Sequence, residues 1–276
     1  MLTKSENYKI MISSDLMNFL LKFSSIVACL SELLGTRFIM KESLNSPVGR
    51  ALANIIAYHN SGRYEERDYE LARLDMLVKH LKEIKEHDES LLNYFRRKIN
   101  RNDVSYYGFR FEVAIASSLI RKKVSFIKRE SPDFEILYAG KKIYIETVSV
   151  HITSSKLRNL KIKIKNAISR KSRKPYCKPD TALFVDATNI FYHSLVRNQL
   201  LLIEELKEYV SGILEDVGFG SIVIFVYVLN KELRRYELNY IRIDNEIIDP
   251  TLRIFLDNYY PIKGHEVRDF ALCPMG

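Results

Sequence analysis

The chain contains no tryptophan and only three cysteines, and glycine and proline are scarce, with 10 and 7 in 276 residues. Cys29, Cys177 and Cys273 lie far apart and form no CxxC pair, which argues against a zinc knuckle and a disulfide framework and is typical of a reducing compartment. The composition, 47% hydrophobic and 28% charged without low-complexity segments, is that of a soluble globular protein. We therefore expect a cytoplasmic protein with a sizeable buried core.

Signal-peptide and membrane-span patterns are also missing. Residues 1–10 are polar and have no small-residue cleavage pattern. The most apolar stretch, residues 16–34, carries Lys22, Glu32 and several serines, so it predicts a buried amphipathic helix rather than a membrane span. The single glutamine, Gln199, together with abundant Ile, Lys, Glu and Tyr, indicates a thermophilic source.

Positive charge is present in excess. The net charge of +9 and the pI of about 9.3 favour a polyanionic partner, nucleic acid before an anionic membrane. Residues 147–179 contain no aspartate or glutamate, and such a one-sign segment suits contact with a phosphate backbone. The alternative is a basic surface without a partner. The residues that we predict to bind nucleic acid are Lys156, Arg158, Lys161, Lys163, Arg170, Arg173 and Lys174.

The first hundred residues have a helical pattern throughout. A helix is predicted at residues 15–34, with Asp15 as its N-cap and Gly35 at its end. Further helices are predicted at residues 48–59 and 64–99, the latter with an apolar stripe flanked by charge. We find no catalytic constellation here and predict an all-helical accessory region over residues 1–102.

From residue 103 the pattern changes to helices alternating with strands. This order predicts an α/β (α+β) fold, a mixed central sheet flanked by helices, in a domain that covers residues 103–276. Ala139-Gly140 is predicted to form the turn between two of the strands. The predicted elements are a helix at 104–121, strands at 124–128, 133–138 and 142–150, a basic helix at 155–174, a strand at 181–187, a helix at 195–217, and strands at 221–229 and 233–243.

Three acidic residues stand in positions that are costly for a carboxylate. Glu146 shares a strand face with Tyr144 and Val148, so it needs a partner cation, a proton or a metal ion. Asp133 opens the preceding strand, and a short hairpin would bring it near Glu146. Glu112 lies at the edge of the apolar face of its helix and points towards the sheet.

Converging carboxylates of this kind suit Mg²⁺ or Mn²⁺. The structural alternatives are a buried salt bridge for Glu146 and an ordinary turn aspartate for Asp133. Glu135 lies on the same strand face as Asp133 and is a competing ligand.

The order of these elements and acidic residues over residues 106–186 resembles the PD-(D/E)XK (restriction-endonuclease-like) nuclease superfamily. The resemblance implies a restriction-endonuclease-like core and a DNA-cleaving hydrolase. It also implies a divalent metal held by Asp133 and Glu146 with the help of Glu112. A lysine two residues after the glutamate helps to activate water in that family.

This sequence departs from the family pattern at that lysine, because Val148 occupies its position. Some members that lack it take the lysine from the following helix, which here offers Lys171 as our first choice and Lys165 as our second. The alternative is an inactive protein of the same fold that binds nucleic acid or assembles a complex. We also consider that the helical N-terminal region could form a homodimer.

Overall fold

The structure, a computed structural model, describes residues 14–35, 46–99, 103–151, 161–196, 203–230 and 235–262. In this part of the chain a six-stranded mixed sheet has helices packed on both of its faces, and the N-terminal helices lie against one face. The predicted mixed α/β fold with a helical N-terminal region is confirmed. Lys156, Arg158 and Cys273 lie outside the described residues.

The N-terminal region consists of four described helices, α1 (Ser14–Leu34), α2 (Pro47–Asn60), α3 (Tyr64–His87) and α4 (Glu89–Lys98). Helix α1 ends at Leu34, before Gly35, as predicted, and Gly35 takes a positive φ of 91°. The helix already includes Ser14, so Asp15 lies in its first turn. The prediction of one helix over residues 64–99 was wrong. The chain breaks at Asp88, whose carboxylate accepts a hydrogen bond from the Ser90 amide at 2.7 Å and caps α4.

Helix α1 is buried along one face only. Phe19, Ile26 and Leu30 enter the core, while the Leu20 and Leu21 side chains are exposed. Only 22% of the apolar window Asp15–Leu34 is buried, so the prediction of a buried helix holds for one face of α1. Among the described residues this is the one helix with the length and apolar character to cross a membrane, a test that core helices of soluble proteins also pass.

The remaining elements follow the N-terminal helices in this order: α5 (Asp103–Arg121), β1 (Phe126–Lys128), β2 (Phe134–Tyr138), β3 (Lys141–Ser149), α6 (Lys161–Ser172), β4 (Thr181–Asp186), α7 (Thr188–Val196), α8 (Ile203–Leu214), β5 (Ser221–Asn230), β6 (Arg235–Asp244) and α9 (Pro250–Tyr259). The sheet has the strand order β1-β2-β3-β4-β5-β6. Strands β1, β2 and β3 form an antiparallel meander, β4 pairs parallel with β3, β5 pairs parallel with β4, and β6 closes the edge antiparallel to β5.

Two hydrophobic cores cover the two faces of the sheet. One holds helices α1 to α5 and α9 against residues such as Ile145 and Phe184, and the other holds α6, α7 and α8 against residues such as Val148 and Val185. The first core runs without a break across the predicted boundary at residue 102. Because alternate residues of β3 face different cores, Glu146 and Val148 point to the α6 side.

The segment between β4 and β5 differs from the prediction of one helix at 195–217. Helix α7 begins already at Thr188, where Asp186 accepts hydrogen bonds from the Thr188 amide and hydroxyl at 3.0 and 2.6 Å. Helix α8 (Ile203–Leu214) lies within the predicted range, and residues 197–202 of that range lie outside the described residues. Helix α9 was not predicted. It begins at Pro250 after the Asp249 cap, whose carboxylate accepts a hydrogen bond from the Thr251 amide at 2.8 Å.

Candidate active site

The β2–β3 hairpin brings Asp133 next to Glu146. Its two-residue turn, Ala139-Gly140, has positive φ at both positions, 48° and 78°, as a tight hairpin turn of the primed type requires. The register places Phe134 opposite Ile145. The Asp133 amide therefore donates a hydrogen bond to Glu146 Oε2 at 3.1 Å.

The Asp133 carboxylate is held in place by the β3 backbone. Its Oδ2 accepts hydrogen bonds from the Thr147 amide at 2.7 Å and from the Thr147 hydroxyl at 2.6 Å. Its Oδ1 accepts a hydrogen bond from Lys128 Nζ at 2.9 Å. Asp133 is thus a buried, fixed carboxylate rather than a solvated turn residue.

Glu146 is 3% exposed and meets two side chains from the α6 region. Its Oε1 accepts hydrogen bonds from Lys171 Nζ and, at 2.9 Å, from the Tyr176 hydroxyl. At about 100° per residue, Lys171 lies in the middle of the buried stripe of α6 that contains Ile164 and Ile168. The helix therefore directs this lysine towards the sheet.

Glu112 reaches the same cluster from α5. Its Oε2 lies 3.0 Å from Lys128 Nζ, and Lys128 in turn contacts Asp133. Lys128 was missed by the sequence analysis. It ends β1 and its side chain is only 4% exposed. A continuous series of contacts thus joins Glu112, Lys128, Asp133, Glu146 and Lys171.

Burial and mutual repulsion perturb the acidic groups. Burial, and then the nearby Asp133 carboxylate, raise the pKa of Glu112. The same two causes raise the pKa of Glu146, against the opposing effect of Lys171. Burial alone would lower the pKa of Lys128, but Asp133 and Glu112 outweigh it and raise that pKa. Carboxylates with raised pKa values beside a cation are a common arrangement of functional sites.

Lys165 does not belong to this cluster. It lies about 120° around the helix from Lys171. It is exposed and lines a groove between α6 and α8 together with Tyr209 and Asp216. Of the two lysines that the sequence offered, the structure brings the first choice, Lys171, to Glu146 and leaves Lys165 in the groove.

The other basic residues of the segment are distributed around α6 and its C-terminal end. Arg170, Arg173 and Lys174 are exposed and Lys163 is half-buried. Lys161 differs from them, because its ammonium forms an ion pair with Glu205 of α8 at 2.6 Å. Part of its charge is therefore neutralised within the protein.

Glu135, the competing ligand, lies outside the cluster. Its carboxylate forms ion pairs with Arg129 at 2.7 Å and Lys142 at 2.8 Å. Side-chain hydrogen bonding by Lys142 leads the effects that lower the pKa of Glu135. A carboxylate that is already paired with two cations has no need of a metal ion.

The donor chemistry of the cluster fits Mg²⁺ or Mn²⁺. The side-chain donors are oxygen atoms, as these hard cations prefer. The Glu112 Oε2 atom is buried and accepts no hydrogen bond of good geometry from the described residues. In the same part of the chain no three acidic, histidine or cysteine side chains already surround one point, so the candidate site is a two-carboxylate site, Asp133 with Glu146.

Comparisons with family models, with curated proteins and with solved structures found no match to this chain. Functional assignment therefore depends on the geometry of the site itself.

Proposed function

We propose that this protein is a metal-dependent nuclease that hydrolyses phosphodiester bonds of DNA with a PD-(D/E)XK type of site. The observation that carries the proposal is the convergence of Asp133, Glu146 and Lys171 from three separate elements. The order α5–β1–β2–β3–α6–β4, with β3 parallel to β4, supports the restriction-endonuclease-like core that the sequence resemblance implies.

In this proposal Asp133 and Glu146 hold Mg²⁺ or Mn²⁺, and Glu112 acts from a greater distance. The bound metal would polarise the scissile phosphate and lower the pKa of a water molecule. Lys171 is 21% exposed, so it can reach both Glu146 and the solvent. Its ammonium would orient the attacking water or offset charge that develops on the phosphate. Tyr176 fixes Glu146 Oε1 by its 2.9 Å hydrogen bond.

The basic surface next to the site would bind the DNA backbone. Arg170 precedes Lys171 on α6, Arg173 and Lys174 follow this helix directly, and all three are exposed. Lysine and arginine side chains bind phosphates without sequence preference, and their affinity falls with salt. This arrangement would place a DNA backbone beside Glu146.

Cleavage of supercoiled and linear plasmid DNA tests the proposal. The wild type, Asp133→Asn and the matched control Glu135→Gln are compared with Mg²⁺ or Mn²⁺ and with EDTA. We expect metal-dependent cleavage by the wild type and by Glu135→Gln, and its loss in Asp133→Asn. Cleavage that survives in Asp133→Asn, or that EDTA does not inhibit, would show that another site or a contaminant acts.

A second candidate function is DNA binding without cleavage. Val148 in place of the family lysine favours it, and so does the hydrogen bonding of Asp133 and Glu146, whose carboxylate oxygens all have protein partners. This function predicts salt-sensitive DNA binding that Asp133→Asn leaves intact and no cleavage by the wild type with either metal.

We also propose a cytoplasmic location and a homodimer that forms through the N-terminal helices. The exposed apolar residues Met17, Leu20 and Leu21 on α1 support a helix–helix contact. Light scattering of the wild type and of Leu21→Glu tests this dimer. A wild-type dimer that dissociates in the variant supports it, and a wild-type monomer contradicts it.

A further inference from the structure

Lys128 is the most deeply buried cation of the candidate site. Its side chain is 4% exposed and its ammonium lies between Glu112 Oε2 at 3.0 Å and Asp133 Oδ1 at 2.9 Å. It also donates a hydrogen bond to the Arg129 carbonyl at 3.0 Å. Two of its three protons are thus donated to Asp133 Oδ1 and the Arg129 carbonyl, and the Glu112 carboxylate is held beside it as an ion pair.

The surroundings of Lys128 keep its ammonium in this position. The Phe134 ring lies 4.8 Å from Nζ and the Tyr94 ring lies 5.4 Å away. Both distances are within the range of cation–π attraction. Lys128 is therefore held by two carboxylates, a carbonyl and two aromatic rings.

The two lysines of the site differ in what they can reach. The Lys171 side chain is 21% exposed and contacts Glu146, whereas the Lys128 side chain is only 4% exposed and is shielded from solvent and from a bound phosphate. Lys128 is thus poorly placed to act on a substrate. Its contacts instead resemble those of a small cation bound by carboxylate and carbonyl oxygens.

We propose that the Lys128 ammonium competes with the divalent metal for Asp133, and that Glu112 is the counterion of Lys128 rather than a metal ligand. This inference rests on the proposed metal site of Asp133 and Glu146. Three carboxylates and two ammonium groups give the cluster a formal charge of −1. Removal of the Lys128 charge makes it −2 and frees Asp133 Oδ1.

Mn²⁺ binding, measured by the electron paramagnetic resonance signal of free Mn²⁺, tests the proposal without any cleavage assay. Lys128→Met is compared with the wild type and with Lys142→Met, which removes a lysine from the exposed pair with Glu135. At contact distances a unit charge in a partly screened site changes ion affinity by an order of magnitude or more. We expect Lys128→Met to bind Mn²⁺ at least about tenfold more tightly than the wild type. Lys142→Met should bind as the wild type does.

The double variant Lys128→Met/Glu112→Gln provides a test that does not leave Glu112 unpaired, in case the single variant fails to fold. It keeps the formal cluster charge at −1. If Glu112 is the counterion of Lys128, the double variant binds Mn²⁺ at least as tightly as the wild type. If Glu112 is instead a metal ligand, its binding weakens by about tenfold or more, which overturns the proposal.

The outcomes separate this proposal from the proposed function. Unchanged or weaker binding in Lys128→Met, with normal wild-type binding, overturns the role of Lys128 and leaves the metal site standing. Binding by Lys128→Met alone supports the role of Lys128 and contradicts a working metal site in the wild type. Absence of Mn²⁺ binding in all variants, or equal binding in Asp133→Asn, overturns both.

Discussion

Replacement of Lys171 by methionine should slow DNA cleavage far more than the same change at Lys165. Both residues lie on α6 and both changes remove one positive charge, but only Lys171 contacts Glu146. A unit charge about 4 Å from a group interacts by about 4 kcal/mol in a partly screened protein site. Since Lys171 is 21% exposed, we reduce this to about 2–3 kcal/mol, or about a hundredfold in rate.

Single-turnover cleavage of plasmid DNA at saturating Mg²⁺ measures this effect. Thermal unfolding of each variant shows whether it folds, and filter binding shows whether it still binds DNA. Both variants should lose similar, small amounts of DNA affinity, because each removes at most one phosphate contact. Equal cleavage rates for Lys171→Met and Lys165→Met, or a loss of less than threefold in Lys171→Met, would refute the assignment of Lys171.

Three further predictions concern stability and DNA binding. Burial lowers the pKa of His80 from 6.5 to about 3. Because His80 takes up its proton at a higher pH in the unfolded state than in the folded state, the free energy of unfolding should fall as the pH drops from about 6.5 towards 3. In His80→Leu the free energy of unfolding should depend less on pH, by up to about 1.4 kcal/mol per pH unit, because one titrating group is removed. Urea unfolding at pH 7 and pH 5 measures this dependence, and the same dependence in the variant and the wild type would contradict the assignment. A Cβ at Gly220 would lie 2.0 Å from the Pro179 carbonyl oxygen, so Gly220→Ala should cost at least about 2 kcal/mol. The control Gly212→Ala, with nothing within 4 Å, should cost nothing, and equal effects would refute the steric argument. Arg173→Ala should weaken DNA binding and leave Mn²⁺ affinity unchanged. The slope of log K for DNA binding against log salt concentration should decrease in magnitude by about one, and an unaltered slope would exclude a phosphate contact.

The sequence was sufficient for the order of the elements from α5 to β4 and for the convergence of the acidic residues. Hydrophobic alternation in β3 and the turn residues Ala139-Gly140 determine the hairpin, and the hairpin register alone places Asp133 beside Glu146. The choice of Lys171 over Lys165 was also available, because the apolar stripe of α6 already indicates which residues face the sheet.

Lys128 could not be identified in the same way. In β1 the apolar Ile127 is 55% exposed while the side chain of the charged Lys128 is buried, which is the reverse of the usual pattern for a strand. Its burial depends on Glu112 and Asp133, which reach it from other elements. The break between α3 and α4 was missed for another reason. The sequence contains the capping residue Asp88, but no glycine or proline indicates that the helix ends there.

The central claim is that Asp133 and Glu146 together bind a divalent metal ion. Fe²⁺ bound in place of Mg²⁺, with ascorbate and peroxide, cleaves the backbone next to the ion, and mass spectrometry locates the cuts. We predict cuts close to Asp133 and to Glu146 in the wild type, suppressed by excess Mg²⁺ and absent from Glu146→Gln. Cuts elsewhere in the chain, or a pattern that Glu146→Gln does not change, would contradict the account.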